Sequence, residues 1–192
     1  MSNRIFKGLP DSLRSPERIA ILEVERVVEL CLKGIYVTKV LDVGTGSGVF
    51  AEAFGLRNLE TVGVDSNPDM VKLASKLVTN AKFKEGTAET LPFRDRSFDL
   101  VFLGTVLHES DDPLLALKEA GRVAASRVAI LEWPYVKEVN GPPIDHRLQP
   151  ERIRELAKQA GFIKIDTIEL SHMVLYRMAI PDRAESDEDD QW

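Results

Sequence analysis

The sequence predicts an α/β fold: a Rossmann-like three-layer sandwich on a seven-stranded, mostly parallel sheet with an antiparallel closing strand. Three observations carry this. Val40 to Gly48 reads V-L-D-V-G-T-G-S-G, a β-branched apolar run breaking into a loop with glycine at every second place. That is a strand running through a tight turn into a helix. From there to about residue 161, short apolar runs alternate with segments of helical spacing, as the crossovers of a parallel sheet require. The last two apolar runs, 162–170 and 173–178, have only two residues between them, so they pair antiparallel.

In chain order, the first thirteen residues are polar and irregular, and a leading helix is expected over 16–33. Ser15 caps it, Pro16 takes its first position and Glu17 meets the positive end of its dipole. Val40 opens the first strand, and Val49 to Phe54 has helical spacing. Glu60 to Asp65 reads as the second strand, and Asn67 caps a helix whose inner face is Met70, Leu73 and Leu77. Ala81 to Glu85 is a short third strand, and Ser97 to Leu103 a fourth, apolar enough for the middle of a parallel sheet. Asp112-Pro113 starts a helix to about Val123, Arg127 to Glu132 is the fifth strand, and Pro150 to Gly161 holds the last helix. Trp133 to Leu148 is a long connection, the kind of loop that often carries function. No repeat or second domain is visible; the domain is expected over 1–183, with an acidic, disordered tail at 184–192.

The glycine loop favours one class of ligand. A dinucleotide loop reads G-x-G-x-x-G, but here the third glycine, Gly48, comes one residue early and Val49 fills the expected place. A phosphate-binding P-loop needs lysine, and none lies between Val40 and Arg57. Asp42 before the loop would repel a pyrophosphate and favour a ligand carrying ammonium and sulfonium charges. Asp65, 17 residues beyond Gly48, is spaced to accept from two ribose hydroxyls, as it would in a nicotinamide-binding protein too.

D-V-G-T-G-S-G resembles the first motif of class I S-adenosylmethionine-dependent methyltransferases. The string A-E-T-L-P-F-R-D-R-S-F-D, Ala88 to Asp99, resembles the ubiquinone/menaquinone C-methyltransferase-like group of that class. The similarity runs from about Val37 to Pro134, and more weakly to residue 179; a family-typical Pro-Gly-Gly before the fifth strand is missing, replaced by Val123-Ala124-Ala125-Ser126. The resemblance implies S-adenosylmethionine as cofactor. It puts cofactor contacts at Asp42, Gly44, Thr45, Gly46, Gly48, Asp65, Ser66, Met70, Ala88, Glu89, Leu103 and Gly104. It also implies a small-molecule methyl acceptor.

Methyl transfer from a sulfonium needs positioning more than acid–base groups. A base is required only where the acceptor loses a proton. His108 and His146 are the candidate catalytic residues, and each has a second reading as a loop-tying side chain. Glu109 reads as a cap or solvated acid, Glu132 as an acceptor-side or structural carboxylate, and His172 as structural. Arg14 and Arg18 read as solvated rather than facing the ligand; Arg147 orients an anionic acceptor or ties its loop. No metal is expected, because the histidine and carboxylate spacings match no known site and Cys31 stands alone. The alternatives are a non-catalytic methyltransferase-like binding module and an NAD-dependent oxidoreductase.

Composition narrows the partners. The formal net charge of −6 disfavours nonspecific nucleic-acid binding, though the acid-rich last nine residues supply most of it. No apolar run of 18 residues exists, so no membrane segment is expected and the protein is expected in the cytoplasm. Oligomeric state is left open by the sequence.

Overall fold

The computed structural model describes residues 10–181, so the acidic stretch 184–192 lies outside the described residues. After a single 3₁₀ turn at Pro10–Arg14 come α1 (Pro16–Leu22), α2 (Val24–Leu32), β1 (Lys39–Val43), α3 (Val49–Gly55), β2 (Glu60–Asp65), α4 (Pro68–Leu77) and β3 (Lys82–Glu85). The second half runs β4 (Phe98–Gly104), α5 (Pro113–Val123), β5 (Ala124–Glu132), α6 (Pro150–Gln159), β6 (Lys164–Glu169) and β7 (Val174–Ala179). The seven strands form one sheet in the order β3-β2-β1-β4-β5-β7-β6. All neighbours are parallel except β7, which runs antiparallel to both β5 and β6.

Both faces of the sheet are buried, so its central strands are apolar on both sides. Alternation along each strand sends side chains to opposite cores. Leu41, Val101, Leu103, Val128 and Ile130 pack with α5 and α6. Val40, Leu100, Phe102, Ala129 and Leu131 pack with α2 and α3. Phe102 sits between Phe50 and Phe54, with ring centroids 4.6 and 5.6 Å away. The chain leaves β1 in one direction across the sheet and β4 in the other. The crevice beyond the carboxyl ends of these two strands is where open α/β sheets hold ligands.

Three helix starts follow their sequence signals. Ser15, Asn67 and Asp112 each accept a backbone N–H of the first turn, and each is followed by proline. The expected single helix over 16–33 is corrected to two helices that break at Glu23, which adopts a left-handed conformation with φ of 46°. Its carboxylate is drawn to the β6–β7 turn, where it accepts from the Ser171 N–H at 2.7 Å, and to Arg26 at 2.8 Å. The fifth strand starts three residues earlier than its apolar run suggests. α5 passes into β5 without a turn, and Ala124 pairs with Phe98. That direct passage takes the place of the missing Pro-Gly-Gly.

Part of the family-like string is scaffold. Asp99 accepts from the Thr38 N–H and hydroxyl at 2.8 Å and the Lys39 N–H at 2.9 Å, pinning the start of β1. Arg122 donates to the Leu91 and Phe93 carbonyls, and Glu119 accepts from the Leu91 N–H, fixing the L-P-F turn. At one margin of the sheet β3 carries Lys82, Phe83, Lys84 and Glu85, with both lysines exposed. Among the described residues no helix is long and apolar enough to cross a membrane.

Candidate functional site

A cavity of about 670 Å³ opens above the carboxyl ends of β1, β2 and β4. That lies within the range of small-molecule sites, roughly 300–1,000 Å³. Of the residues singled out from the sequence, Asp42, Gly44, Thr45, Gly46, Asp65, Ser66, Met70, Ala88, Glu89, Gly104, His108 and His146 line it. Gly48 and Leu103 do not: Gly48 turns the chain into α3 with φ of 81°, packed against α4 and Phe83, and Leu103 is fully buried in the core.

The glycine loop lines the cavity through Gly44, Thr45, Gly46 and Ser47. Thr45 N–H donates to the Val64 carbonyl at 2.9 Å, tying the loop to β2. Gly46 N–H donates to one Asp65 carboxylate oxygen at 2.8 Å, and Asn67 N–H to the other at 2.9 Å. Asp65 thus holds the loop and the start of α4 while each oxygen keeps a lone pair for the cavity. Burial raises its pKa, against the lowering effect of these two bonds. Glu89 accepts from the Asp111 N–H at 3.0 Å, tying the turn after β3 to the loop after β4.

Asp42 is more buried than the sequence suggests, at 2% exposure. One of its oxygens accepts from the Thr45 hydroxyl at 2.6 Å and the Ala51 N–H at 3.1 Å. Burial nevertheless pushes its carboxyl up to about 7, with Asp65 adding to the rise. The folded chain therefore holds this proton more tightly than the unfolded chain does. The stability Asp42 contributes is full below the ordinary carboxylate range and is lost as pH rises through about 7. A cation beside it would favour the ionised form.

The opposite wall is apolar and basic. Leu13, Leu22, Phe50 and Trp133 line it with Arg18 and His108. Arg14 is neither solvated nor turned to the cavity: it donates to the Ser47 carbonyl at 2.9 Å and pairs with Glu52, clamping the leading segment onto the glycine loop. Arg18 lines the cavity, where burial lowers its pKa and Glu109 opposes the shift. His108 is buried in the turn after β4, its Nδ1 2.8 Å from Glu132 Oε2. Burial disfavours the charged ring, but Glu132 and then Glu109 outweigh it, and the His108 pKa ends above its ordinary value. This pair was open to sequence reasoning in one respect: both residues fall at the carboxyl ends of apolar runs that become adjacent strands.

The roof is the connection after β5, which supplies Gly141, Pro142, Pro143 and His146. Arg147 is a loop tie rather than a ligand group. Buried at 6% exposure, it donates to the carbonyls of Pro134, Val136, Asn140 and Pro142 at 2.6–3.0 Å and lies over the Trp133 ring. Arg147→Met should free these carbonyls, and tryptic cleavage at exposed Lys137 should then accelerate about tenfold or more. An unchanged cleavage rate would show that the roof is held by something else. His172 sits outside the cavity lining, and among the described residues no three His, Cys, Asp or Glu side chains are grouped to share a metal ion.

Residues 41–130 match a family model described as methyltransferase domain. An uncharacterized methyltransferase of Bacillus subtilis, YcgJ, is 42% identical over 90 residues, covering 44% of this chain and 36% of that protein. A demethylmenaquinone methyltransferase of Thermotoga maritima is 38% identical over 123 residues, covering 61% of this chain and 53% of that one. The chain thus spans about a third to a half of the length of these curated relatives. In fold, a SAM dependent methyltransferase from Aquifex aeolicus superposes with a TM-score of 0.81 at 24% identity, over 91% of this chain and all of that one. The fold is thus that of the S-adenosylmethionine-dependent methyltransferase structure it superposes on, and residues 41–130 are similar to a methyltransferase domain. Several of the curated relatives, from Thermotoga maritima and Chlorobaculum tepidum among others, are named demethylmenaquinone methyltransferases.

Proposed function

We propose that the chain transfers the methyl group of S-adenosylmethionine to a small-molecule acceptor held between the cofactor and the roof loop. The observation that carries this is the charge of the cavity. Its floor presents Asp42, Asp65, Glu89 and loop backbone, and among the described lining residues Arg18, on the far wall, is the one lysine or arginine. Such a donor set fits a cationic nucleoside that carries no phosphate, and disfavours a pyrophosphate. When bound, the cofactor supplies a sulfonium-activated methyl group.

The chain's own residues do the rest. Asp65 accepts from the ribose hydroxyls, Asp42 balances the positive charge of the methionine part, and Glu89 with Met70 bounds the adenine side. Gly44, Gly46 and Gly104 let backbone approach the ligand closely. Thr45 and Ser66 hold polar groups at the edges of the same floor. Leu22, Phe50 and Trp133 exclude water and suit a flat ring, and His146 orients the acceptor from the roof. His108 holds a proton released by the acceptor. The names of several relatives, demethylmenaquinone methyltransferases, support a quinone-like ring as acceptor.

Isothermal titration with S-adenosylmethionine tests this reading. Affinity should rise with pH by up to about tenfold per unit and level off above about 7, as Asp42 becomes ionised without the ligand's help. His108 gains charge in the same direction as pH falls, so Asp42→Asn should flatten the slope without abolishing it. Absence of binding at millimolar ligand would overturn the proposal.

A further inference from the structure

Glu132 ends β5 with its side chain at 2% exposure, and a carboxylate buried so deeply is costly unless its lone pairs are filled. They are filled by one neighbour above all. Oε1 accepts from the His108 N–H at 3.1 Å, while Oε2 lies 2.8 Å from the His108 ring and 3.3 Å from the Trp133 N–H. Among the described residues, no lysine or arginine pairs with it.

We propose that Glu132 is a positioning residue that fixes His108 as the proton acceptor of the site. A carboxylate only accepts, so the ring nitrogen facing it, Nδ1, is the one that carries hydrogen. The other nitrogen, Nε2, is then bare on a ring that lines the cavity. Its nearest acid, Glu109 Oε1, is 3.8 Å away, too far for a hydrogen bond. The remaining charged groups about the ring are Arg147 under the roof, His146 in the cavity lining and Arg18 from α1, which interacts with Glu109. The backbone bond from the His108 N–H would by itself be enough to tie β5 to the loop after β4. The bond to the ring adds a fixed tautomer and a stabilised imidazolium.

The arrangement suits an acceptor with a neutral O–H or N–H that must lose its proton. The acceptor atom forms a bond to the methyl carbon as the carbon–sulfur bond breaks, with that electron pair staying on sulfur. The proton passes to His108 Nε2 and the resulting charge is held by Glu132. This role for the ring rests on the methyl-transfer reading, but the tautomer and its cause do not.

Nitrogen-15 spectroscopy of the imidazoles in the whole chain, without cofactor, tests the proposal. The chain has three histidines, so His146→Asn and His172→Asn assign the signals. In the unmodified protein His108 should be the Nδ1–H tautomer at high pH, with a midpoint above the ordinary histidine value. Glu132→Gln keeps an oxygen for the backbone amides but removes the charge, so the midpoint should fall to the ordinary value or below. Glu132→Asp, which restores the charge, should bring it back up. An Nε2–H tautomer in the unmodified protein overturns the proposal whether or not the variants fold, and so does a midpoint that Glu132→Gln leaves in place. Failure of the cofactor titration would sink the functional reading alone and leave this result standing.

Discussion

Asp65→Ala should weaken S-adenosylmethionine binding by about 3–6 kcal/mol, a loss on the order of 10²- to 10⁴-fold. Two charge-assisted hydrogen bonds to ribose hydroxyls would go, each contributing roughly 1.5–3 kcal/mol. The upper end is favoured because Asp65 does two jobs. Its oxygens also take the Gly46 and Asn67 N–H groups, so the variant releases the glycine loop and the start of α4 together. Asp65→Asn separates the two roles: it keeps one acceptor and should lose less. Titration calorimetry reads the effect directly, with thermal melting alongside to show that the chain is folded. Affinity within a few-fold of the unmodified protein would mean that the ribose lies elsewhere.

The second large effect is on folding. Gly44 has φ of +66°, and a Cβ built there would stand 2.1 Å from Val106 Cγ2 and 3.0 Å from Cγ1. Gly44→Ala adds left-handed strain of about 1–2 kcal/mol to overpacking of about 1–3 kcal/mol. The short, β-branched Val106 cannot swing aside as a long side chain would. The sum is about 2–5 kcal/mol, and for a chain of this size the melting temperature should fall by on the order of 10 °C. Gly34→Ala is the control: φ is +84° but nothing lies within 4 Å, so only the strain remains. Val106→Ala combined with Gly44→Ala should recover part of the loss. If the double variant melts no higher than Gly44→Ala alone, the contact is not the cause.

What could be read from the chain was local. The glycine loop, the capped helix starts at Ser15, Asn67 and Asp112, and the apolar strands each carry their signal within a few residues. What could not be read was set by distant partners. The break at Glu23 depends on an amide 148 residues away in sequence. Asp42 reads as a bare charge ahead of the glycines; its partial neutralisation by depth, and its bonds to Thr45 and Ala51, come only with packing. Arg147 reads from the sequence as orienting an anionic acceptor or tying its loop, and the four carbonyls of its own loop that converge on it make it the tie. The S-F-D acid, Asp99, belongs to the family-like string yet serves the scaffold: it pins the start of β1 and is not among the residues that line the cavity.

The short marginal strand β3 also governs how copies of the chain can meet. A two-fold axis perpendicular to the sheet would join this strand to itself and keep each residue on its own side. Centred on Phe83, the join sets Lys82 against Lys84 twice over; centred on Lys84, it sets that lysine against its own image. Like charges facing directly across a ladder repel. A continuous fourteen-stranded assembly through this margin is therefore disfavoured, and the ribbon is left as a terminus rather than a template for stacking.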